Sequence, residues 1–88
     1  MLEITLRLYG AFRDVSEKEA LYFEIEPTLS LDAFRSLVAA RLEILSPGQG
    51  TTDLLSKSVF ADADDILAAD YIFRKSQTLS IIPPVCGG

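Results

Sequence analysis

The run Pro83-Pro84-Val85-Cys86-Gly87-Gly88 holds the residues whose types and spacing point most directly to chemistry. Two prolines fix their own φ angles, and the second holds the first extended, so this stretch is expected to leave its domain in one direction. Gly87 and Gly88 carry no Cβ, so their backbone fits a channel too narrow for side chains. The four residues after the prolines, fully extended, reach about 13–14 Å. The sequence stops at Gly88, and the expectation is a stiff arm that presents the bare carboxylate of that residue. A carboxylate at such a tip suits modification deep inside a pocket of another protein.

Few other chemistries are open to the chain. It has no histidine and one cysteine, Cys86, so neither a Ser-His-Asp nor a Cys-His arrangement can be built. An ordinary Cys/His zinc site is equally out of reach. A single cysteine makes no internal disulfide, and the sequence carries no sign of an oxidising compartment. Thirteen acidic against eight basic side chains leave a net charge of -5, which argues against nucleic acid as a partner. The N-terminus lacks the basic and apolar regions of a signal peptide, and no apolar run approaches the roughly 20 residues of a membrane span. The expected location is the cytoplasm, with no membrane partner and no metal site. Eighty-eight residues are enough for one domain, whose core is too small for a deep enclosed active site.

The elements that must position the arm follow from hydrophobic periodicity. Leu2, Ile4, Leu6 and Leu8 alternate with Glu3, Thr5, Arg7 and Tyr9, the period of a half-buried strand. Gly10 breaks it, and Ala11 to Val15 form a turn or a single helical turn. Leu21, Phe23 and Ile25 repeat the alternation until Pro27 removes a donor, so the two strands are expected to form an antiparallel hairpin with a long loop. Ser30 is a good N-cap and Asp32 a favourable first-turn carboxylate. Leu31, Phe34, Leu37, Val38, Leu42 and Leu45 then recur at helical spacing, with Arg35, Arg41 and Glu43 mostly opposite. A helix of about 13 residues is predicted, its stripe covering the sheet. Ser46 to Gly50 reads as a stop and loop.

Beyond the loop, Thr52 to Ser56 reads as a short helix. Ser58 to Asp62 and Ile66 to Ala69 read as short strands flanking an acidic turn. Asp70 to Phe73 reads as a single helical turn. Leu79 to Ile82 reads as a buried strand, with Leu79 and Ile81 in the core. The order gives an α+β, β-grasp fold: a mixed sheet over one main helix, with the domain at 1–82 and the tail at 83–88.

The ending Ile82-Pro83-Pro84-Val85-Cys86-Gly87-Gly88 resembles that of the small subunit of molybdopterin synthase, one of the ubiquitin-like β-grasp sulfur carriers that also include the thiamin-pathway carrier. Length and element order agree along the whole chain, and the last seven residues carry the specific likeness. The chain departs from that pattern in three places, one of them Cys86, which stands before the two glycines where Ala or Ser is common. The middle strands lack an Asn-Gly turn, and Lys75-Ser76-Gln77-Thr78-Leu79 stands where a Gly-Asp-Glu-Val run is common.

The resemblance implies a cycle. A ubiquitin-activating-enzyme-like adenylyltransferase uses ATP to join AMP to the carboxylate of Gly88, and a sulfur donor protein displaces AMP to leave a thiocarboxylate. The carrier then docks on the large synthase subunit, inserts Pro83, Pro84, Val85, Cys86 and Gly87, and delivers sulfur for the dithiolene of the molybdenum cofactor. It implies a hetero-oligomer with no bound cofactor, in which the carrier is a non-catalytic, sulfur-donating subunit and the large subunit supplies the catalytic side chains. A carrier for thiamin or another product, or a protein modifier forming isopeptides, is the alternative. Phe60, Tyr71, Phe73 and Ile82 are candidates for an apolar surface facing the partner, some of them belonging to the core. Cys86 is read as a small spacer rather than a sulfur carrier, since a tail thiol near its usual pKa of about 8.5 leaves little thiolate at pH 7. Asp62, Asp64 and Asp65 are read as a solvated turn rather than a cation site.

Overall fold

The structure is a computed structural model and describes residues 1–9, 20–45, 47–48 and 51–83. Six elements follow in the order β1 (Leu2–Leu8), β2 (Ala20–Ile25), α1 (Leu31–Leu45), α2 (Thr51–Ser56), β3 (Val59–Ala61) and β4 (Gln77–Ile82). The expected turn at Gly10 and Ala11 to Val15 lies outside the described residues, as do Ser46, Gln49 and Gly50 of the loop after α1.

Alternation decides the sheet. Ile4, Leu6 and Leu8 of β1 and Leu21, Phe23 and Ile25 of β2 are all buried. The antiparallel register Ile4↔Phe23 and Leu6↔Leu21 puts them on one face. β4 runs parallel to β1, with Leu6↔Leu79 and Leu8↔Ile81, and β3 pairs antiparallel to its far side, with Phe60↔Ile81. The strand order β2-β1-β4-β3 places the last strand in the interior of the sheet, as its short apolar run predicted. A one-residue slip in any pair turns that strand's apolar set to solvent, so burial fixes the register.

α1 spans 15 residues, and Ser30 caps it: its Oγ accepts from the amide of Ala33 at 3.1 Å. Leu31, Phe34, Val38 and Leu42 are buried. Leu37 and Leu45, predicted to join them, are 44% and 42% exposed. Leu37 points about 105° from the centre of the buried stripe at 100° per residue, and Leu45 is the last residue of the helix. Arg35 and Arg41 flank the stripe instead of opposing it. Arg35 lies over Phe60 at 4.8 Å and Arg41 over Phe23 at 4.6 Å, so their stems and guanidinium planes seal the edges of the core.

Two local expectations are corrected. Residues 66–69 form no strand: Ile66 makes one bridge to Ala61, and the Leu67 amide donates to the Phe60 carbonyl at 2.8 Å. The chain then turns inward, carrying Leu67 into the core. Residues 70–73 form no helical turn. Their backbone groups pair with the lead-in to α1, through Leu31 N–H to the Tyr71 carbonyl (2.8 Å), Thr28 N–H to Phe73 (2.7 Å) and Phe73 N–H to Leu29 (2.9 Å). This strap buries Phe73 completely, which outweighs a single turn of helix with its costly nucleus. It also holds Thr28 at φ 71°, a conformation that costs a non-glycine residue roughly 1–2 kcal/mol.

Candidate functional site

The tail starts where β4 ends. Because β4 is parallel to β1, both strands run toward the same edge of the domain, and Ile82 and Pro83 emerge beside the end of β1. Pro83 is half-buried and, lacking an N–H, cannot continue the ladder. Pro84, Val85, Cys86, Gly87 and Gly88 lie outside the described residues. The structure therefore defines the platform from which the predicted arm departs.

That platform differs from the predicted apolar surface. Phe60 and Phe73 are 1% and 0% exposed, their rings edge-on to Phe34 at 5.7 and 5.1 Å. They are core residues, unavailable to a partner. Tyr71 is half-buried, its ring against Phe73 at 5.1 Å and its hydroxyl donating to Gln77 Oε1 at 3.0 Å. Gln77 begins β4, so Tyr71 belongs to the end opposite Ile82, about 16 Å away along the strand. Of the four, Ile82 alone is both exposed and at the exit.

Two residues that the sequence reading passed over stand with it. Val59 is the cross-strand partner of Ile82, on the outer face because its neighbour Phe60 points inward. Tyr9 follows the last β1–β4 pair, Leu8↔Ile81, and so falls beside Ile82. Tyr9, Val59 and Ile82 are 41%, 37% and 42% exposed. The Arg7 guanidinium lies 5.8 Å from the Tyr9 ring. An apolar cluster with one cation at its margin thus surrounds the base of the tail. Its signal in the sequence is an apolar residue out of phase at the end of three strands, and only the register shows that the three converge.

The acidic turn has a local explanation. Asp62 Oδ1 accepts from the amides of Asp64 and Asp65, each at 2.8 Å. The Asp65 amide, then that of Asp64, holds its carboxyl below the usual 3.8. Among the described residues no three His, Cys, Asp or Glu side chains converge as metal ligands, and no helix is long and apolar enough to cross a membrane.

No protein-family model matches the sequence, and a search of curated proteins returns no match. Solved structures do match in fold. A putative molybdopterin converting factor subunit 1 from Pyrococcus furiosus superposes with TM-score 0.72 at 15% identity, over 97% of this chain and 100% of that one. Small archaeal modifier protein 1 from Haloferax volcanii gives 0.68 at 15%, over 97% and 100%. A complex of subunits 1 and 2 of the molybdopterin-converting factor from Helicobacter pylori gives 0.63 at 18%, over 99% and 100%. A mixed four-stranded sheet folded over one main helix, matched end to end by these small proteins, makes this chain a ubiquitin-like β-grasp domain.

Proposed function

We propose that the chain is a sulfur carrier of molybdenum cofactor biosynthesis, the small subunit of a molybdopterin synthase, working through the carboxylate of Gly88. The observation that carries this reading is the seven-residue run Ile82 to Gly88, which begins at the exposed end of an interior β-grasp strand. A free carboxylate is a poor acyl electrophile. Joining AMP to it, with ATP consumed by a partner adenylyltransferase, supplies a leaving group. A sulfur donor protein then displaces AMP and leaves the thiocarboxylate, which the large synthase subunit consumes. Tyr9, Val59 and Ile82 give either partner an apolar contact at the base of the arm, so that docking aims the tail. The likeness to a structure described as a complex of subunits 1 and 2 supports the large-subunit partner. The likeness to a modifier protein supports the second reading, attachment of Gly88 to other proteins.

Intact mass spectrometry after incubation with the host's adenylyltransferase, ATP and a sulfur source tests the proposal. The expected product ends at Gly88 and is heavier by about 16 Da, one oxygen exchanged for sulfur. Gly87→Val is expected to abolish charging or transfer by adding a branched side chain inside the channel, and Cys86→Ala to retain most of the activity. No conversion where a known carrier is converted, or a chain extending past Gly88, refutes the carboxylate reading. The reverse ranking of the two variants would move the sulfur to the Cys86 thiol.

A further inference from the structure

The two edges of the sheet are finished differently. The β3 edge is covered by the chain that follows it: Ile66 bridges to Ala61, and the Leu67 amide donates to the Phe60 carbonyl at 2.8 Å. β2 is the other edge strand, and among the described residues no further strand pairs with it. Its sequence, Ala20-Leu21-Tyr22-Phe23-Glu24-Ile25, joins high strand propensity to a single charge and no proline. An edge of that composition is a template for pairing with another chain.

One side chain lies across that edge. The Arg41 guanidinium sits over the Phe23 ring at 4.6 Å and donates to the Tyr22 carbonyl at 3.4 Å. The Tyr22 carbonyl therefore faces away from β1, and the alternation of an antiparallel pair turns the N–H and C=O of Glu24 the same way. Arg41 thus occupies an acceptor that a new strand would need. It also brings a full charge to the place that strand would cover, and stripping an unpaired charge of water is costly.

The flank of α1 around Arg41 is apolar. At 100° per residue Leu37, Arg41 and Ile44 fall within about 60° of one another, and both Leu37 and Ile44 are exposed. Edge and flank together fit a second copy of this chain. Antiparallel pairing of β2 with itself is isologous, so each strand offers the other its Tyr22 and Glu24 backbone groups. The two-fold axis stands perpendicular to the sheet and puts both α1 helices on one side, with their Leu37 and Ile44 flanks toward the seam. The same symmetry brings two Arg41 guanidinium groups to that seam. One side chain therefore opposes this contact twice over.

We propose that Arg41 keeps the β2 edge closed to a second copy of this chain, and that removing its charge allows the dimer to form. The inference goes beyond the carrier reading and does not depend on it. Sedimentation velocity on the full chain tests it, in reductant so that Cys86 forms no disulfide between copies, with circular dichroism reporting the native fold. The parent and Arg41→Lys, which keeps the charge, are expected to sediment as monomers. Arg41→Met and Arg41→Leu keep an apolar stem over Phe23 and are expected to dimerise at least about tenfold more tightly than either. Amide hydrogen exchange locates the contact. The Tyr22 and Glu24 amides are expected to exchange freely in the parent and to slow at least about tenfold in the dimer. A folded Met or Leu variant that stays monomeric overturns the proposal, as does a dimer in which those two amides remain unprotected. Arg41→Lys dimerising equally well shows that charge is not the guard. Protected Tyr22 and Glu24 amides in the monomeric parent show that something other than Arg41 covers the edge. Loss of the native fold in both apolar variants assigns Arg41 to the core instead, and the guard is again refuted.

Discussion

Truncation of Phe34 tests whether one side chain ties the helix to the rest of the fold. Phe34 is 0% exposed, and its ring meets Phe23 of β2 at 5.2 Å, Phe60 of β3 at 5.7 Å and Phe73 of the strap at 5.1 Å, all edge-on. Phe→Ala at a buried site costs about 3–5 kcal/mol, the spread reflecting how far the surroundings collapse. Here the three facing rings belong to three separate segments and cannot all move inward at once. Each also loses an edge-to-face contact of about 0.5–1.5 kcal/mol, already counted within the truncation cost. Phe34→Ala is therefore placed in the upper half of the range, at about 4–5 kcal/mol. At roughly 0.05–0.15 kcal/mol per residue, an 88-residue domain holds about 4–13 kcal/mol in all, so this variant loses a third of its stability or more. Phe34→Leu keeps most of the volume and is expected to lose about 1–2 kcal/mol, or about 5–15 °C in Tm. Urea unfolding followed by circular dichroism measures both, with an unchanged m-value for Phe34→Leu. A loss below about 1.5 kcal/mol for Phe34→Ala refutes the view that these rings share one keystone.

Arg35 fastens α1 to the turn before β3: its guanidinium donates to the carbonyls of Leu55 (2.7 Å) and Ser58 (3.0 Å) above Phe60. Arg35→Met keeps the apolar stem but removes both charge-assisted donors, leaving the Leu55 carbonyl with the Ser58 amide at 3.0 Å, so a loss of about 1–3 kcal/mol is expected in urea unfolding, and a loss under about 0.5 kcal/mol counts against it. For Asp62, a carboxyl lowered by the amides of Asp65 and Asp64 stabilises the turn fully above the ordinary value and loses that contribution as pH falls through the lowered native value. A side-chain carboxyl NMR titration is expected to place its midpoint below 3.8, and a midpoint at or above that value contradicts the capping geometry.

The parts of the fold legible in the sequence were those with a strict period. Alternation in Leu2–Leu8 and Leu21–Ile25, the Ser30 cap and the spacing of Phe34, Val38 and Leu42 each have a local physical cause, and the structure reproduces them. The stretch from Ile66 to Phe73 was misread because Ile66 and Leu67 make only one bridge and one hydrogen bond to nearby Ala61 and Phe60, while the partners of Tyr71 to Phe73 are remote. Nothing near Tyr71 or Phe73 announces pairing with residues 28–31, and propensity alone favoured a turn. The surface around the tail failed for the same reason. Phe60 and Phe73 were plausible by type, but facing Phe34, one from β3 and the other from the strap, makes them interior. Tyr9 and Val59 read as ordinary strand-end residues until the parallel pairing of β1 with β4 brought them to Ile82.

The position of β4 bears on how a tail of this kind can be used. A partner that draws the arm into a channel pulls on the strand to which the arm is attached. Hung from an edge strand, the arm would load a single ladder. β4 is held by β1 on one side and by β3 on the other, so the same pull must shear two ladders together, and Leu79 and Ile81, both 0% exposed, must leave the core at the same step. The parallel β1–β4 pairing that secures the strand also decides which end of the sheet the tail leaves from, and therefore which outer-face residues lie beside it. The layers differ accordingly: the inner face and Phe34 resist the pull, while Tyr9, Val59 and Ile82 stay exposed on the outer face. If the proposed docking holds, an outer-face substitution such as Ile82→Ser is expected to alter docking with little loss of stability, while the core substitution Phe34→Leu alters stability with little change in docking.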